Sequence, residues 1–204
     1  MLFDDTYLTI TQPAEAVFRD RGSKFLAFAY PIRTESEIKE IVVQLKSEHS
    51  KANHHCWAMR LSPDRSVFRV NDDGEPSGTA GRPILNVLLS KNLTNILVVV
   101  VRYFGGTLLG VPGLINAYKS ATEMALAEAK ITEQTVKDIY TIDFEYLQMN
   151  EVMKIVKDDQ LTVLNQHFDN NCSITVAIRK MQVNQTLNKL ENIAGVKAKF
   201  NHVV

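Results

Sequence analysis

The sequence contains little that would place the protein outside the cytoplasm or build a metal centre. It has two cysteines, Cys56 and Cys172, and neither belongs to the short Cys/His spacing of a zinc site. The longest apolar run, residues 96–101, is far shorter than the roughly 18 residues of a membrane span. Acidic residues stand near the N-terminus where a signal peptide would carry basic ones. We therefore expect a cytoplasmic protein with two structural thiols, no membrane contact, no metal and no cofactor.

An excess of charge of either sign is also missing. Lysine and arginine together number 23, and aspartate and glutamate also number 23, so the net charge is zero. Nucleic-acid-binding proteins commonly carry a basic surplus that attracts phosphate backbones. Any contact with RNA would therefore need a local basic patch.

Two glycine-rich segments stand out from an otherwise ordinary globular composition. Residues 69–85 contain three of the nine glycines and show neither a strand nor a helix period. Residues 103–113 contain four more and follow an apolar segment typical of a strand buried on both faces. Each segment stands between a predicted strand and a predicted helix, so both are candidates for a site.

Hydrophobic periodicity predicts the elements around these segments. We expect a hairpin over 14–32, a helix ending near His49, a second hairpin over 53–70, and helices after each glycine-rich segment. Thr79 is the predicted N-cap of the first of these helices. Polar residues 132–137 are predicted to be a linker. Residues 139–203 then follow the order βαββαβ, which is typical of a ferredoxin-like sandwich.

The carboxylates of the first segment allow several interpretations. Asp72, Asp73 and Glu75 suit turn chemistry, recognition of a partner, or metal and acid–base chemistry. Arg102 ends the apolar strand, and an arginine there either pairs with a carboxylate or is held toward a ligand. If the two segments adjoin, these three carboxylates are its expected partners.

Small residues before the first helix suggest an anion site. Backbone N–H groups near Ser77, Gly78, Thr79 and Gly81 would favour a phosphate or carboxylate, with Arg82 in the first helical turn. Simple capping by Thr79 is the alternative interpretation.

Adjacent histidines and nearby aromatics complete the candidates. His54 and His55 would point to opposite faces of a strand, so they would not share a metal. Cys56 would lie on the same face as His54, which makes a thiol nucleophile conceivable. Tyr103 and its neighbour Phe104 would either stack on bases or belong to the core.

Several of these segments together resemble the IMPACT/YigZ family. The resemblance rests on SKF at 23–25, HCWA at 55–58, DDGEPSGTAGRP at 72–83, VRYFGG at 101–106 and LG at 109–110. It implies an α+β protein with an N-terminal domain over 1–131 and a C-terminal domain over 132–204. The first would resemble the second domain of a small-subunit ribosomal protein, an α/β sandwich with a four-stranded sheet and two main helices. The second would be ferredoxin-like, similar to domain V of elongation factor G.

The resemblance also implies a role in translational control, because eukaryotic members are linked to it. Asn116 replaces an arginine of the family pattern, which removes one positive charge from the expected surface. We hypothesise a non-enzymatic, RNA- or ribosome-associated regulator of translation that binds through the two glycine-rich segments. The alternatives are a protein-binding module, or a hydrolase or transferase acting on a phosphorylated or carboxylated ligand. The candidate binding residues are His55, Arg69, Asp72, Asp73, Glu75, Ser77, Thr79, Arg82, Arg102, Tyr103, Gly105 and Gly106.

Overall fold

The computed structural model describes residues 5–169 and 171–204, and these form two compact units. The N-terminal unit spans residues 7–134, and the C-terminal unit combines residues 5–6 with 135–204. The division therefore follows residue 134, whereas the sequence predicted a boundary after residue 131. Within the described residues, no helix is long and apolar enough to cross a membrane.

The N-terminal unit is built on a five-stranded antiparallel sheet. Its strands and helices are β2 (Ala14–Asp20), β3 (Ser23–Pro31), α1 (Glu35–Glu48), β4 (His54–Leu61), β5 (Val67–Asn71), α2 (Gly81–Ser90), β6 (Ile96–Tyr103) and α3 (Gly110–Glu128). The strand order in the sheet is β2-β3-β6-β4-β5. The predicted hairpins and helices are confirmed. The sheet has five strands rather than the four implied by the family resemblance, and three helices pack on it rather than two.

Helices cover both faces of this sheet, which explains the apolar character of β6. Residues 96–101 are fully buried, because even-numbered positions face α2 and α3 while odd-numbered positions face α1. Alanines along α3, including Ala117 and Ala121, allow that helix to lie close to the sheet. Alternation along β4 places His54 and Cys56 on the α2/α3 face and His55 on the α1 face.

The prediction of a linker over residues 132–137 is wrong. Strand β7 (Ile131–Thr135) occupies most of it and pairs with β1 (Thr6–Ile10) in a separate two-stranded sheet. The β-branched residues of this segment favour a strand once a partner strand is available. Their polarity follows from their exposure rather than from a lack of structure.

The C-terminal unit is the predicted ferredoxin-like sandwich. Its elements are β8 (Lys137–Glu145), α4 (Met149–Asp158), β9 (Thr162–His167), β10 (Asn171–Arg179), α5 (Val183–Glu191) and β11 (Lys197–Val203). The antiparallel sheet has the order β11-β8-β10-β9, so each βαβ half is split by a strand of the other half. Both helices pack against one face, and the apolar residues of that face form the core.

Candidate functional site

Asp72 closes the N-terminus of α2 from within the first glycine-rich segment. Its carboxylate accepts hydrogen bonds from the backbone N–H groups of Gly78 at 2.9 Å, Ala80 at 3.1 Å and Gly81 at 2.8 Å. A carboxylate at this position also interacts favourably with the helix dipole. Of the N–H groups that the sequence offered to an external anion, those of Gly78 and Gly81 are therefore bonded to the protein's own side chain, and that of Thr79 donates to the Pro76 carbonyl.

Thr79 is not the N-cap of α2, contrary to the sequence prediction. The helix begins at Gly81, and Ala80 holds the cap position. The buried hydroxyl of Thr79 donates to the Pro76 carbonyl at 2.7 Å instead, which stabilises the turn before the helix. Asp72 performs the capping from eight and nine residues upstream, beyond the range of a local capping motif.

Asp73 anchors the same segment to strand β4 and to helix α1. Its backbone adopts a left-handed conformation with φ of 42°. One carboxylate oxygen accepts from the His55 N–H at 2.7 Å, and the other lies 2.9 Å from the Lys46 ammonium on α1. The Asp73 carbonyl lies 2.9 Å from Nδ1 of His54. The loop is thereby fixed both to β4 and to α1.

Glu75 lies in a buried polar cluster beneath the segment. Its carboxylate is 2.6 Å from the Arg102 guanidinium and accepts a hydrogen bond from the Tyr118 hydroxyl at 2.8 Å. The Cys56 sulfur lies 2.9 Å from the Asp72 carbonyl oxygen and 3.3 Å from the Tyr118 oxygen, and these two acceptors share its single S–H proton. Of the three carboxylates that the sequence offered to Arg102, Glu75 is the partner.

Burial keeps the protons on the thiol and the phenol of this cluster. Desolvation raises the pKa of Cys56 well above its ordinary value, although the hydrogen bond with Tyr118 partly opposes the rise. Desolvation and the nearby Cys56 and Glu75 raise the pKa of Tyr118 in the same way. A nucleophilic cysteine needs a lowered pKa, so the cluster is suited to structural hydrogen bonding rather than to thiolate chemistry.

Three predicted site residues lie away from this cluster, on the α1 face of the sheet. Arg69 is exposed and forms a 2.8 Å ion pair with Glu35 of α1. The Tyr103 hydroxyl lies 2.9 Å from Nδ1 of His49. His55 is buried, and desolvation lowers its pKa although Asp73 partly raises it. The structure brings His54, rather than His55, toward Glu75, with Nε2 3.9 Å from the carboxylate.

The two glycines predicted at the second segment have different surroundings. A Cβ on Gly105 would lie 1.9 Å from the carbonyl carbon of Gly22, so this glycine is required by the contact with the β2–β3 turn. Gly106 has a φ of 85° and open space around it. Of the remaining candidates, Ser77 and Arg82 are exposed to solvent.

A cavity of about 380 Å³ lies between the two glycine-rich segments. Its polar lining comes from Asn53, His54, Glu75 and Arg102. The apolar lining comes from the second segment, the start of α3 and Pro76, namely Phe104, Leu108, Leu109, Val111 and Leu114. The Arg102 guanidinium lies 5.4 Å from the centre of the Phe25 ring and 5.6 Å from that of Phe104.

The sequence interpretation missed Tyr118 and the apolar rim of this cavity. Tyr118 stands among the small residues of α3, and a buried tyrosine hydroxyl needs a polar partner, which was the available signal. Leu108 was visible only as one apolar residue in a glycine-rich stretch. In the part of the chain that the structure describes, no three His, Cys, Asp or Glu side chains are arranged to hold a metal ion.

Comparison with known proteins identifies the family of this chain. The model of the Impact N-terminal domain matches residues 21–126, which include both glycine-rich segments and the buried cluster. The chain belongs to the IMPACT family. The IMPACT family member YvyE of Bacillus subtilis is 30% identical over 88% of this chain and 82% of its own length.

Solved structures extend the similarity over most of the chain. A crystal structure described as a hypothetical protein is 29% identical, covers 95% of this chain and 96% of its own, and has a TM-score of 0.72. A structure described as the two-domain translational regulator Yih1 is 28% identical over 62% of this chain and 48% of its own, with a TM-score of 0.36.

Proposed function

We propose that this protein is a non-enzymatic regulator of translation that binds a protein component of the ribosome or of a ribosome-bound factor. The binding surface is the cavity between the glycine-rich segments together with its apolar rim. Membership of the IMPACT family supports the link to translation. The character of the rim supports a protein as the partner.

The observation that carries the proposal is the exposure of three large apolar side chains around one cavity. Leu108 is 81% exposed, Val111 52% and Phe104 45%, and all three line the cavity. Contiguous exposed apolar residues beside a concave surface are typical of protein–protein interaction sites. Beneath them, the Glu75 carboxylate is held by Arg102 and by the Tyr118 hydroxyl.

The arginines favour protein over RNA as the partner. Arg102 is buried and paired with Glu75, and Arg69 is paired with Glu35. Asp72 occupies the N-terminus of α2, so that helix offers no free site for a phosphate. Arg82 is exposed at the start of α2.

The chemistry of the cluster favours binding over catalysis. The Cys56 thiol is fully buried, is hydrogen-bonded and has a raised pKa, so it is a poor nucleophile. Glu75 bonds to both Arg102 and Tyr118, so its carboxylate is held in place rather than available as a general base.

Co-sedimentation with unwashed bacterial ribosomes across a salt series tests this proposal. We expect wild-type protein to sediment with the ribosomes, with a weak dependence on salt because the contact is mainly apolar. Leu108→Asp should weaken binding by about ten-fold or more, since it places a charge in a desolvated contact. Arg82→Ala should change binding by less than about two-fold.

Val43→Asp is the matched control, because Val43 is an exposed apolar residue of α1 on the other face of the sheet. Its binding should equal that of the wild type. Absence of ribosome binding by the wild type would contradict the proposal. Binding that disappears with salt and with Arg82→Ala, but survives Leu108→Asp, would assign the partner to RNA instead.

A further inference from the structure

The N-termini of α2 and α3 differ in how their free N–H groups are satisfied. Asp72 fills the N-terminus of α2. Helix α3 has no acidic residue in its first turn and no side chain that caps it. Its N-cap residue Leu109 and its first residues, Gly110 and Val111, line the cavity described above. The positive end of the α3 dipole therefore borders the cavity with no acidic residue in its own first turn, and the one carboxylate of the lining, Glu75, is paired with Arg102.

Arg102 adds a second, independent feature to the same cavity. The residue is 5% exposed and contributes to the cavity lining. Its Nη1 bonds to Glu75, while its Nε is buried and has no hydrogen-bond partner among the described residues. A buried donor without a partner is costly, and because this nitrogen has almost no accessible surface, a ligand oxygen would satisfy it through a small shift of the Arg102 side chain. The Glu75 charge does not oppose such a ligand strongly, because that carboxylate is paired with Arg102.

The other lining residues indicate the chemistry of the rest of the ligand. Phe104, Leu108, Val111 and Leu114 supply apolar surface, and the volume of about 380 Å³ lies in the range of small-ligand pockets. The lining thus combines an apolar enclosure with one region that favours a negative charge. A group that matches both is an apolar side chain carrying a carboxylate on its own Cα.

We propose that this cavity binds the C-terminal residue of a polypeptide partner when that residue is apolar. The side chain would lie between Phe104, Leu108 and Val111, and the free carboxylate would face the first turn of α3 and Arg102. This inference rests on the proposed function, because it specifies which part of the partner protein enters the cavity. The choice of a chain end over a free amino acid follows from the one carboxylate of the lining, Glu75, which is bonded to Arg102 and Tyr118 and so offers no free partner for an ammonium group.

Binding of three small probes distinguishes the chemistry. N-acetyl-leucine represents a chain end, N-acetyl-leucinamide removes the charge, and free leucine adds an ammonium group. Titrations followed by NMR would monitor the Gly110 and Val111 amides and the Arg102 Nε–H. We expect N-acetyl-leucine to shift these signals saturably and to bind about ten-fold more tightly than the amide. Free leucine should bind more weakly than N-acetyl-leucine.

A matched pair at Val111 tests the role of the helix N-terminus without disturbing the buried ion pair. Val111→Asp would place an internal carboxylate in the first turn of α3, where it competes with the ligand for the same N–H groups. The preference for the acid over the amide should then fall to about two-fold or less. Val111→Asn has nearly the same shape, so affinity for both probes should fall by a similar factor and the preference should remain.

Equal affinity for N-acetyl-leucine and N-acetyl-leucinamide would overturn the inference. NMR signal shifts confined to residues other than Gly110, Val111 and Arg102 would overturn it too. Free leucine binding as tightly as N-acetyl-leucine would overturn it as well, and would assign the cavity to a free amino acid. The proposed function stands or falls separately. Leu108→Asp can abolish ribosome binding even if the acid and the amide bind equally, and in that case only the C-terminal specificity is lost.

Discussion

The two glycine-rich segments occupy the same position in the fold, between a strand and a helix, yet they satisfy their polar groups in opposite ways. In the first segment, the three carboxylates are bonded to backbone N–H groups, to Lys46 and to Arg102. The second segment contributes no carboxylate of its own and exposes Phe104 and Leu108. The first is therefore a closed structural element, and the second is an open surface.

This difference shows that glycine, serine and carboxylate content does not by itself identify a binding loop. The polar residues of the first segment are abundant because many backbone groups must be bonded at the start of α2. The second segment is short of polar residues, and three of its apolar residues, Phe104, Leu108 and Val111, remain exposed within the N-terminal unit. The less polar loop is accordingly the better candidate for binding.

Removal of the Glu75 carboxylate should cause the largest loss of stability. Glu75→Ala leaves the buried Arg102 charge and the Tyr118 hydroxyl without their partner, so we expect a loss of about 3–5 kcal/mol in unfolding free energy. Urea denaturation would measure it. Glu35→Ala breaks the exposed pair with Arg69 and should cost less than about 1 kcal/mol. Similar losses of unfolding free energy in the two variants would contradict the view that the first segment is a structural element held by buried polar contacts.

The contact between Gly105 and the β2–β3 turn should be the next most sensitive feature. Gly105→Ala forces backbone movement against Gly22, and we expect a cost of about 3 kcal/mol in unfolding free energy. Gly106→Ala meets open space, so its cost of about 1 kcal/mol comes from the left-handed backbone alone. Thermal denaturation of both variants would test the difference. An equal effect would mean that the close approach at Gly105 is easily relieved.

The Asp72 cap should have an intermediate effect. Asp72→Asn keeps the shape but removes the charge that assists three hydrogen bonds, so we expect a loss of about 1–2 kcal/mol. Ser77→Ala changes an exposed residue of the same segment and should cost less than about 0.5 kcal/mol. Chemical denaturation at pH 7 would measure both. If Asp72→Asn matched Ser77→Ala, the carboxylate would not be the effective cap of α2.

Leu108→Asp should have the smallest effect on stability, even though it should have the largest effect on binding. The side chain is mostly exposed, so we expect a change within about 0.5 kcal/mol in unfolding free energy. Urea denaturation of the binding variant would verify this before any binding assay. A large loss would show that Leu108 packs within the fold, and the rim would then no longer be a free surface.

Much of the fold follows from local patterns in the sequence. The βαββαβ order of residues 139–203 predicts the C-terminal sandwich that is found. Strand β7 could not be predicted in the same way. Its polar residues form a strand only through pairing with β1, which lies near the N-terminus and is far from β7 in the sequence. Pairing over such a distance leaves no local pattern.

The site was less predictable because its contacts join distant residues. Sequence reasoning found the carboxylates and Arg102, yet only the folded sheet selects Glu75 over Asp72 and Asp73 as the partner. The role of Thr79 was mispredicted because a local cap was assumed, whereas Asp72 reaches the helix from the preceding strand end. An apolar rim depends on which side chains remain uncovered, and that becomes known only once the helices are packed.

Site-specific photocrosslinking on unwashed ribosomes would compare the two segments most directly. A benzophenone side chain would replace Leu108 in one sample and the exposed Ser77 in another, and the adducts would be treated separately with ribonuclease and with protease. We predict a discrete protein adduct from position 108, resistant to ribonuclease, and no comparable adduct from position 77. An adduct of equal yield from position 77, or a ribonuclease-sensitive adduct from position 108, would contradict the assignment of the second segment as the protein-binding surface.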